Sequence, residues 1–233
     1  MKVILLSGGY GKRLRPLTEK TPKCLVPING VPLLEIWLQR LNKINLGPFL
    51  VNTHYLKGQV EDFISSSIYR NKVDLFFEPK LLGTAGTLMA NIDFFNDDDG
   101  LLIHADNYCM DDFRKFIKAH KNRPSDCLMT MMSFETETPK TCGILEVDKN
   151  NIVTAIHEKV ENPPGALANG AVYILSNKLI KLLKKENKPI RDFSLDVLPR
   201  FLGKIYSYET KEFFIDIGTI KSYKKANLRI DHK

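Results

Sequence analysis

Short apolar runs alternate with stretches of helical periodicity through the first half of the chain. The apolar runs are rich in leucine and β-branched residues, as buried strands are, and the segments between them place apolar side chains three and four positions apart, as amphipathic helices do. This pattern predicts strands at 2–6, 49–52, 73–77 and 101–105, and helices at 33–44, 56–65, 84–94 and 111–122. Alternating strands and helices favour βαβ units, and therefore an α/β fold with a mostly parallel central sheet and helices on both faces.

The second half has a different pattern. Strand-like runs at 127–134, 142–147, 152–158 and 170–175 follow one another closely, and a polar turn at 148–151 separates the second from the third. Such alternation of apolar and polar residues predicts an antiparallel hairpin. We therefore expect a small antiparallel subregion added to a Rossmann-like α/β sheet. Since no linker, repeat or low-complexity tract interrupts the 233 residues, we expect one domain with two lobes, about 1–125 and about 126–233.

Composition excludes several classes of protein. With 43% hydrophobic residues and 26% charged residues, the chain is neither disordered nor collagen-like. No apolar run approaches the ~20 residues that cross a bilayer, and the opening apolar run is too short for a signal peptide, so we expect a cytoplasmic protein. Cys24, Cys109, Cys127 and Cys142 form no CxxC pair, which argues against a zinc ribbon or a dithiol redox site.

The net charge of +7 is compatible with three kinds of partner: nucleic acid, an anionic membrane or a phosphorylated small molecule. Lysines at 178–188 and 221–233 alternate with apolar residues at helical spacing, which is typical of solvated helix faces. A nucleic-acid binder would need clustered arginines or stacking aromatics on one surface. We therefore expect neither nucleic acid nor membrane as partner, and look to the basic residues of the first loop.

The first loop combines glycines with basic side chains. Gly8, Gly9 and Gly11 follow the first strand, where their backbone can approach a phosphate closely. Arg13 would add a forked cationic donor, and Lys23 a compact charge. The glycine spacing is neither GxGxxG nor GxxxxGK[ST], which argues against a nicotinamide dehydrogenase and against a Walker A loop. A tight turn with solvated charges is the alternative to a phosphate site.

The complete stretch is more specific. GGYGKRLRPLT at 8–18, followed by PKCLVPINGVPLL from residue 22, resembles the signature of sugar-phosphate nucleotidyltransferases, in which GGxGTRLxPLT is followed by PK. These pyrophosphorylases join a nucleoside triphosphate to a sugar 1-phosphate. The chain departs from the pattern at Lys12, Ser7 and Cys24, where Thr, Ala and Pro are usual. The resemblance implies that Arg13 and Lys23 are catalytic and that the triphosphate is bound by Leu6, Gly8, Gly9, Gly11 and Lys12.

A second segment, EPKLLGTAG from residue 78, resembles the part of the family that reads base and ribose. The resemblance implies that Glu78, Gly83 and Thr84 contact the nucleotide. The form GTAG is most similar to mannose-1-phosphate guanylyltransferases, which favours GTP over UTP or TTP. Simple helix capping, with Thr84 as the N-cap, is the alternative interpretation.

Two carboxylates each follow an apolar strand. Asp106 comes after the predicted strand 101–105, at the carboxyl edge where α/β proteins bind ligands. Asp216 lies in FFIDIGT at 213–219, which resembles the closing FxxDIGT motif of the family. The resemblance implies that Asp106 and Asp216 bind Mg²⁺, and two hard oxygen ligands plus triphosphate oxygens suit that ion. Each Asp could instead be a helix N-cap.

Three further stretches resemble the sugar-phosphate site of the family: CGILE from residue 142, HEK from residue 157 and ANGAVY from residue 168. The resemblance implies that the glycine of the first stretch leaves room for the sugar, while a lysine neutralises its phosphate. The implied contacts are Asn107, Gly143, Glu158, Lys159 and Asn169. A solvated Glu–Lys pair at a hairpin end is the alternative. Residues 192–199 resemble a helix start, for which Ser194 and Asp196 are candidate capping residues.

The resemblance implies in-line attack of the sugar 1-phosphate on the α-phosphorus, with release of pyrophosphate and an NDP-sugar. The first lobe would bind the nucleotide and the second the sugar phosphate, with GTP and a mannose- or heptose-type sugar favoured. Two alternatives stay open: a UTP- or TTP-dependent enzyme, and a non-catalytic protein that senses nucleotide sugars. Homo-oligomerisation is also left open.

Overall fold

A computed structural model describes residues 1–228 and confirms the alternation of strands and helices in the first half of the chain. The strands are β1 Lys2–Leu6, β2 Pro27–Ile28, β3 Val31–Pro32, β4 Phe49–Thr53, β5 Val73–Phe77, β6 Gly100–His104, β7 Asn107–Cys109, β8 Met129–Glu135, β9 Gly143–Val147, β10 Val153–Glu158, β11 Leu167–Leu175, β12 Ile205–Glu209 and β13 Phe214–Asp216. The α-helices are α1 Leu17–Lys20, α2 Leu33–Asn42, α3 Lys57–Ser66, α4 Thr84–Ala90, α5 Phe113–Lys121, α6 Asn177–Lys184 and α7 Ile220–Asn227.

The chain divides into two compact units, each assembled from separate stretches. We call residues 3–81, 104–110 and 213–228 the loop unit, and residues 1–2, 82–103 and 111–212 the hairpin unit. Each unit therefore draws on residues that are far apart in the sequence. The organisation into one domain with a lobe boundary near residue 125 stays a prediction.

Parallel strands form the sheet of the loop unit. β1 pairs with β4 and β4 with β5, both in parallel, and every residue of β4 is buried. Helix α2 buries one face because its apolar residues recur at helical spacing, from Leu33 through Trp37 to Leu41. A separate antiparallel pair, β7 with β13, sets Asp216 opposite Asn107. This pair proves important for the candidate site.

The hairpin unit is mainly antiparallel. β9 and β10 form the predicted hairpin, and β11 runs antiparallel to β6, β8 and β9, whereas β12 is parallel to β8. Tyr173 and Phe193 are among the large side chains that are fully buried there. The predicted α/β class, with parallel strands and a small antiparallel subregion, is therefore confirmed. Within residues 1–228, no helix has both the length and the apolar character needed to span a bilayer.

Several predicted element ends are wrong. The predicted helix 84–94 stops at Ala90, because Asn91 leaves the helical region with φ −123°, and a 3₁₀ turn follows at Ile92–Phe95. Ser194 does not cap the turn at Phe193–Val197, which is a short π-helix. Asp192 caps it instead, since its carboxylate accepts hydrogen bonds from the backbone of Ser194 and Leu195. The predicted helix 221–233 is α7 as far as it is described, and residues 229–233 lie outside the described chain.

Candidate active site

The glycine-rich loop after β1 is held by a buried asparagine that sequence reasoning did not identify. Ser7 N donates to Asn52 Oδ1 at 2.6 Å, and Ser7 Oγ donates to the Asn52 carbonyl at 2.5 Å. Asn52 Nδ2 in turn donates to Glu78 Oε1 at 2.9 Å. Asn52 and Glu78 are 4% and 1% exposed, so this network is shielded from water. It ties the start of the loop to the carboxyl ends of β4 and β5.

Two of the three loop glycines are required by their surroundings. A Cβ on Gly8 would lie 2.9 Å from Asn52 Nδ2. Gly11 has φ +62°, and a Cβ there would lie 2.8 Å from Thr18 Cγ2. The side chain of Thr18 also donates to the Gly11 carbonyl at 2.7 Å, which fixes the loop before Lys12. Glycines at these positions permit a loop conformation in which no side chain keeps the backbone from approaching a phosphate.

A polar chain links the loop to β5 through two aromatic residues that the sequence did not single out for the site. His54 Nδ1 lies 2.7 Å from the Glu78 carbonyl oxygen, which can only accept, so this nitrogen carries the proton. His54 Nε2 is 2.9 Å from Tyr10 Oη. In the neutral imidazole Nε2 therefore accepts from Tyr10. Lys12 Nζ lies 5.5 Å from the centre of the Tyr10 ring, within cation–π range.

Four charged residues predicted from the sequence converge in the loop unit. Lys23 Nζ lies 2.6 Å from Asp106 Oδ2 and 3.3 Å from Asp216 Oδ1. An Arg13 guanidinium nitrogen lies 3.8 Å from Asp216 Oδ2. Lys23 is only 8% exposed, whereas the Arg13 side chain is 69% exposed. A nearly buried ammonium thus lies between two carboxylates, and the guanidinium supplies a second positive charge at the outer side.

This arrangement shifts the pKa values of Lys23 and of both carboxylates. Burial disfavours the ammonium of Lys23, but attraction to Asp106 and Asp216 outweighs it, so the pKa of Lys23 is raised. Burial also acts against the Asp106 carboxylate, yet the nearby Lys23 charge holds its pKa below the usual range. Burial and repulsion from Asp106 raise the pKa of Asp216. Of the two carboxylates, Asp106 is therefore the more firmly ionised.

Pairing of β7 with β13 brings the two aspartates together. Asp106 lies in the turn before β7, and its carbonyl accepts from Ile217 N at 2.9 Å, just past Asp216. Trp37 Nε1 donates to the Asn107 carbonyl at 2.9 Å, which anchors β7 on α2. Neither aspartate is a helix N-cap, because α7 is capped by Thr219 and α5 by Asp112. The capping alternative for Asp106 and Asp216 is therefore wrong.

The two carboxylates have the chemistry of a magnesium site. Their oxygens already converge on a single cationic atom, Lys23 Nζ, and Mg²⁺ prefers hard oxygen ligands, commonly one or two carboxylates completed by water and phosphate oxygens. In the described part of the chain, no three His, Cys, Asp or Glu side chains are grouped to share a metal ion. One or two carboxylates are a usual protein donor set for Mg²⁺, so these residues fit this ion.

In the hairpin unit, the segment at Gly83–Gly86 docks onto the backbone of Arg191 and Phe193. A Cβ on Gly83, which has φ +85°, would overlap the Arg191 carbonyl oxygen. That oxygen accepts from Ala85 N at 2.8 Å and Gly86 N at 3.3 Å. These two backbone donors of the GTAG segment are thus already paired within the protein. Thr84 is not an N-cap, as Gly83 holds that position and Thr84 Oγ1 accepts from Phe193 N at 2.8 Å.

Three of the predicted sugar-phosphate residues lie together at the open end of the β9–β10 hairpin. Gly143 pairs with Glu158, and a Cβ on Gly143 would lie 2.5 Å from Glu158 Oε2, so the glycine makes room for this carboxylate. Lys159 Nζ lies 3.2 Å from Glu158 Oε1, and the lysine side chain is 65% exposed. Lys159 adopts φ +52°, an uncommon conformation for a non-glycine residue. The alternative of a solvated Glu–Lys pair stays open on this geometry.

Asn169 lies on β11, next to Ala168, which pairs with Ile144 of β9. Its side-chain oxygen accepts two hydrogen bonds, from Ala171 N and from Tyr173 Oη, both at 2.9 Å. Asn107, by contrast, belongs to the loop unit, where its Nδ2 donates to the His104 carbonyl at 3.3 Å. The predicted sugar-phosphate contacts are therefore divided between the two units.

Comparison with known proteins places these features in a family. The model of the family described as nucleotidyl transferase matches residues 2–233. A Sulfolobus acidocaldarius protein, provisionally named a mannose-1-phosphate guanyltransferase, is 27% identical over 99% of this chain and 63% of its own length. A D-glycero-alpha-D-manno-heptose 1-phosphate guanylyltransferase of Aneurinibacillus thermoaerophilus is 28% identical over 100% of this chain and 99% of its own. Other relatives of similar identity are named glucose-1-phosphate adenylyltransferases.

A solved structure is similar to this chain over almost its whole length. HddC from Yersinia pseudotuberculosis, crystallised as a complex with GMP-PN, is 28% identical and has a TM-score of 0.81, covering 97% of this chain and 98% of its own. The length of the relatives differs, and the chain spans less than two thirds of the Sulfolobus protein but almost all of HddC.

Proposed function

Because the chain belongs to the nucleotidyl transferase family, we propose that it joins a nucleoside triphosphate to a sugar 1-phosphate, releasing pyrophosphate and an NDP-sugar. The observation that carries the proposal is the cluster in which Lys23 and Arg13 lie against Asp106 and Asp216 beside the glycine-rich loop. Such a cluster offers cationic donors for a triphosphate and oxygen ligands for its metal.

The reaction needs little proton chemistry. An oxygen of the sugar 1-phosphate attacks the α-phosphorus, and the bond to the leaving pyrophosphate breaks. The attacking phosphate is already anionic near neutral pH, so no general base is required. The protein has to orient two anions that repel each other and to stabilise the charge of the transition state. Arg13, Lys23 and Lys12, with the bare backbone of Gly8, Gly9 and Gly11, would bind the triphosphate.

The remaining predicted roles are part of the same proposal. Lys159 would neutralise the sugar 1-phosphate, and Glu158 would accept a hydrogen bond from a sugar hydroxyl. Asp106 and Asp216 would hold Mg²⁺, which supplies Lewis-acid stabilisation of phosphoryl charge when bound. Glu78, Gly83 and Thr84 would contact base and ribose. In the Gly83–Gly86 segment, only backbone N–H groups that do not already donate to the Arg191 carbonyl are available for this. Leu6 would line the nucleotide site.

We favour GTP and a mannose- or heptose-type sugar 1-phosphate as substrates. The GTAG sequence from Gly83 and the guanylyltransferase names of two relatives support this choice. Because other relatives are adenylyltransferases, ATP belongs in the same test as GTP, UTP and TTP. A cytoplasmic location, where nucleoside triphosphates are abundant, is part of the proposal, and a homo-oligomer would be compatible with it.

A pyrophosphate-release screen tests the proposal. The four triphosphates are each combined with a panel of sugar 1-phosphates in the presence of Mg²⁺, and NDP-sugar formation is verified by mass spectrometry. We expect turnover with at least one pair, highest with GTP. In Asp106→Asn we expect turnover to fall at least ~10²-fold, as when a metal ligand is removed. Absence of turnover with every pair, or an unchanged rate in Asp106→Asn, would contradict it. Nucleotide binding without turnover would instead indicate a sensor.

A further inference from the structure

A fully buried tyrosine hydroxyl lies beside the candidate sugar residue Asn169. Tyr173 is 0% exposed, and its Oη donates to Asn169 Oδ1 at 2.9 Å. The ring of Tyr173 packs on that of Phe193 with 4.7 Å between centroids, and the Ser194 hydroxyl also hydrogen-bonds to Tyr173. Since burial raises the pKa of Tyr173, the hydroxyl keeps its proton and acts as a donor. The tyrosine is thus immobilised from both ends.

Backbone geometry supplies a second donor to the same amide oxygen. The pairing of β11 with β8 shifts register between Asn169 and Tyr173, and Ala171 in this stretch has φ +52°. Such bulges re-aim side chains next to functional sites. Here the bulge directs Ala171 N to Asn169 Oδ1 at 2.9 Å.

These contacts determine which end of the Asn169 carboxamide is offered to a ligand. An amide oxygen has two lone pairs, and both are engaged, by Ala171 N and by Tyr173 Oη. Exchanging the oxygen and nitrogen of the amide would set its NH₂ group against the backbone N–H of Ala171, two donors facing each other. The orientation is therefore fixed, and the Nδ2 amino group is the end that remains for recognition.

We propose that Tyr173 is a positioning residue that holds the carboxamide of Asn169 with its amino group toward the sugar 1-phosphate, so that the position it recognises is an acceptor oxygen of a sugar hydroxyl. The proposal rests on the proposed function, which assigns Asn169 to the sugar. It adds a residue that never touches the substrate and a direction for the hydrogen bond. Phe193 and Ser194 support Tyr173 in this role, which gives the π-helical turn Phe193–Val197 a function beyond connecting elements.

Kinetics of matched variants test the role. Tyr173→Phe keeps the ring on Phe193 and removes only the hydroxyl, and Tyr206→Phe, on β12 of the same unit, is the control. With GTP and α-D-mannose 1-phosphate, or the best pair of the screen, we expect KM for the sugar 1-phosphate to rise about 5-fold in Tyr173→Phe, as for one lost hydrogen bond. We expect kcat and KM for GTP to change less than about 2-fold. The proposal would be overturned if KM for the sugar 1-phosphate did not change, or if kcat and KM for GTP worsened as much as KM for the sugar 1-phosphate.

Asn169→Asp tests whether the amino group of residue 169 is needed, although it also adds a negative charge that repels the phosphate. The carboxylate keeps an acceptor for Ala171 and Tyr173 but loses the amino donor, so we expect sugar 1-phosphate affinity to fall more than about 10-fold while the melting temperature stays close to that of the wild type. Affinity equal to that of the wild type would show that the amide oxygen, or neither end, meets the sugar.

A measurement that does not depend on turnover separates this proposal from the proposed function. The side-chain ¹⁵NH₂ signals of Asn169, identified by their absence in Asn169→Ser, report the hydrogen bonding of its amide. We expect these signals to shift in Tyr173→Phe and not in Tyr206→Phe, and to shift in the wild type on addition of α-D-mannose 1-phosphate. Identical signals in Tyr173→Phe and the wild type overturn the positioning role even in an active enzyme. Shifted signals in a protein without turnover support it and contradict the proposed reaction alone.

Discussion

Gly218 lies directly against the carboxylate of Asp216. A Cβ placed on Gly218 would come within 2.5 Å of Asp216 Oδ2 and 3.0 Å of an Arg13 guanidinium nitrogen. Gly218 is buried, so an added methyl group would find little room to avoid these atoms. The missing side chain therefore leaves space for the carboxylate and the guanidinium to stand where they do.

We expect Gly218→Ala to displace Asp216 or Arg13 and to lower turnover at least ~10-fold, which corresponds to about 1.4 kcal/mol of activation free energy. Over-packing should also cost ~1–3 kcal/mol of unfolding free energy. Gly58→Ala in α3 is the matched control, because a Cβ there has no described atom within 4 Å. It should leave turnover unchanged and raise stability by up to ~1 kcal/mol. Equal turnover in Gly218→Ala and the wild type would speak against the assigned role of Asp216.

Lys23→Met tests the buried ammonium. It leaves Asp106 and Asp216 without their shared counter-charge, a change that costs ~3–5 kcal/mol in a fully buried pair. Since these carboxylates are 40% and 48% exposed, we expect the free energy of unfolding, measured with denaturant, to fall by a smaller amount, about 1–3 kcal/mol. Turnover should be abolished.

Two controls accompany this variant. Lys57→Met removes the exposed ion pair with Glu61, and we expect it to cost less than ~1 kcal/mol. Adding Asp106→Asn to Lys23→Met removes one of the uncompensated charges, so stability should recover in part while turnover does not. A double variant less stable than Lys23→Met would rule out charge imbalance as the cause.

Asn52→Asp tests the support of the glycine-rich loop. The aspartate keeps the acceptor for Ser7 N but places a carboxylate against Glu78, where Asn52 Nδ2 now donates. We expect the free energy of unfolding to fall by ~1–3 kcal/mol, which is typical of an unsatisfied buried polar group, and KM for the triphosphate to rise. Glu78→Gln in the Asn52→Asp background restores a donor and should recover stability. If the double variant is no better than the single one, the like-charge contact is not responsible.

Stability should depend on pH through His120 of α5. This residue is 1% exposed, its Nδ1 lies 2.8 Å from Thr130 Oγ1, and its Nε2 lies 3.4 Å from Asp99 Oδ2. Burial lowers the pKa of His120 below its usual 6.5, the attraction of Asp99 notwithstanding. The unfolded chain therefore binds the proton more readily, and the unfolding free energy falls as pH drops from about 7 toward 5.

His120→Gln should flatten this part of the stability curve, whereas Lys121→Gln, a neighbouring exposed position, should not. Melting temperatures at intervals between pH 5 and 8 provide the measurement. A slope in His120→Gln as steep as in the wild type would mean that another group governs the acid side.

The periodic elements could be predicted because each depends on local pattern. The strand at Val73–Phe77 has the predicted bounds, and the hairpin of β9 and β10 follows from alternation around a polar turn. Glycine spacing and motif resemblance were sufficient to identify Arg13, Lys23, Asp106 and Asp216 as candidates, and the structure brings these four together. Their roles in binding and catalysis stay predictions.

Contacts between distant segments could not be predicted. Asn52 supports Ser7 from 45 residues away, and Thr84 accepts from the backbone of Phe193 across 109 residues. Neither pair leaves a periodic signal, since a side chain that bonds to a remote backbone group obeys no spacing rule. Thr84 looked like an N-cap for this reason, although its hydroxyl serves another segment. The sequence assigned Tyr173 no role, because the bulge that gives its hydroxyl a partner depends on strand pairing.

The loop unit is assembled from stretches that lie far apart in the chain, so its parts are synthesised at different times. Lys23 and Asp106 are synthesised well before Asp216, which lies on the last strand described and pairs with β7. Until residue 216 has been synthesised, Lys23 can have only one of its two carboxylate partners. The complete charge cluster therefore requires synthesis to have passed residue 216.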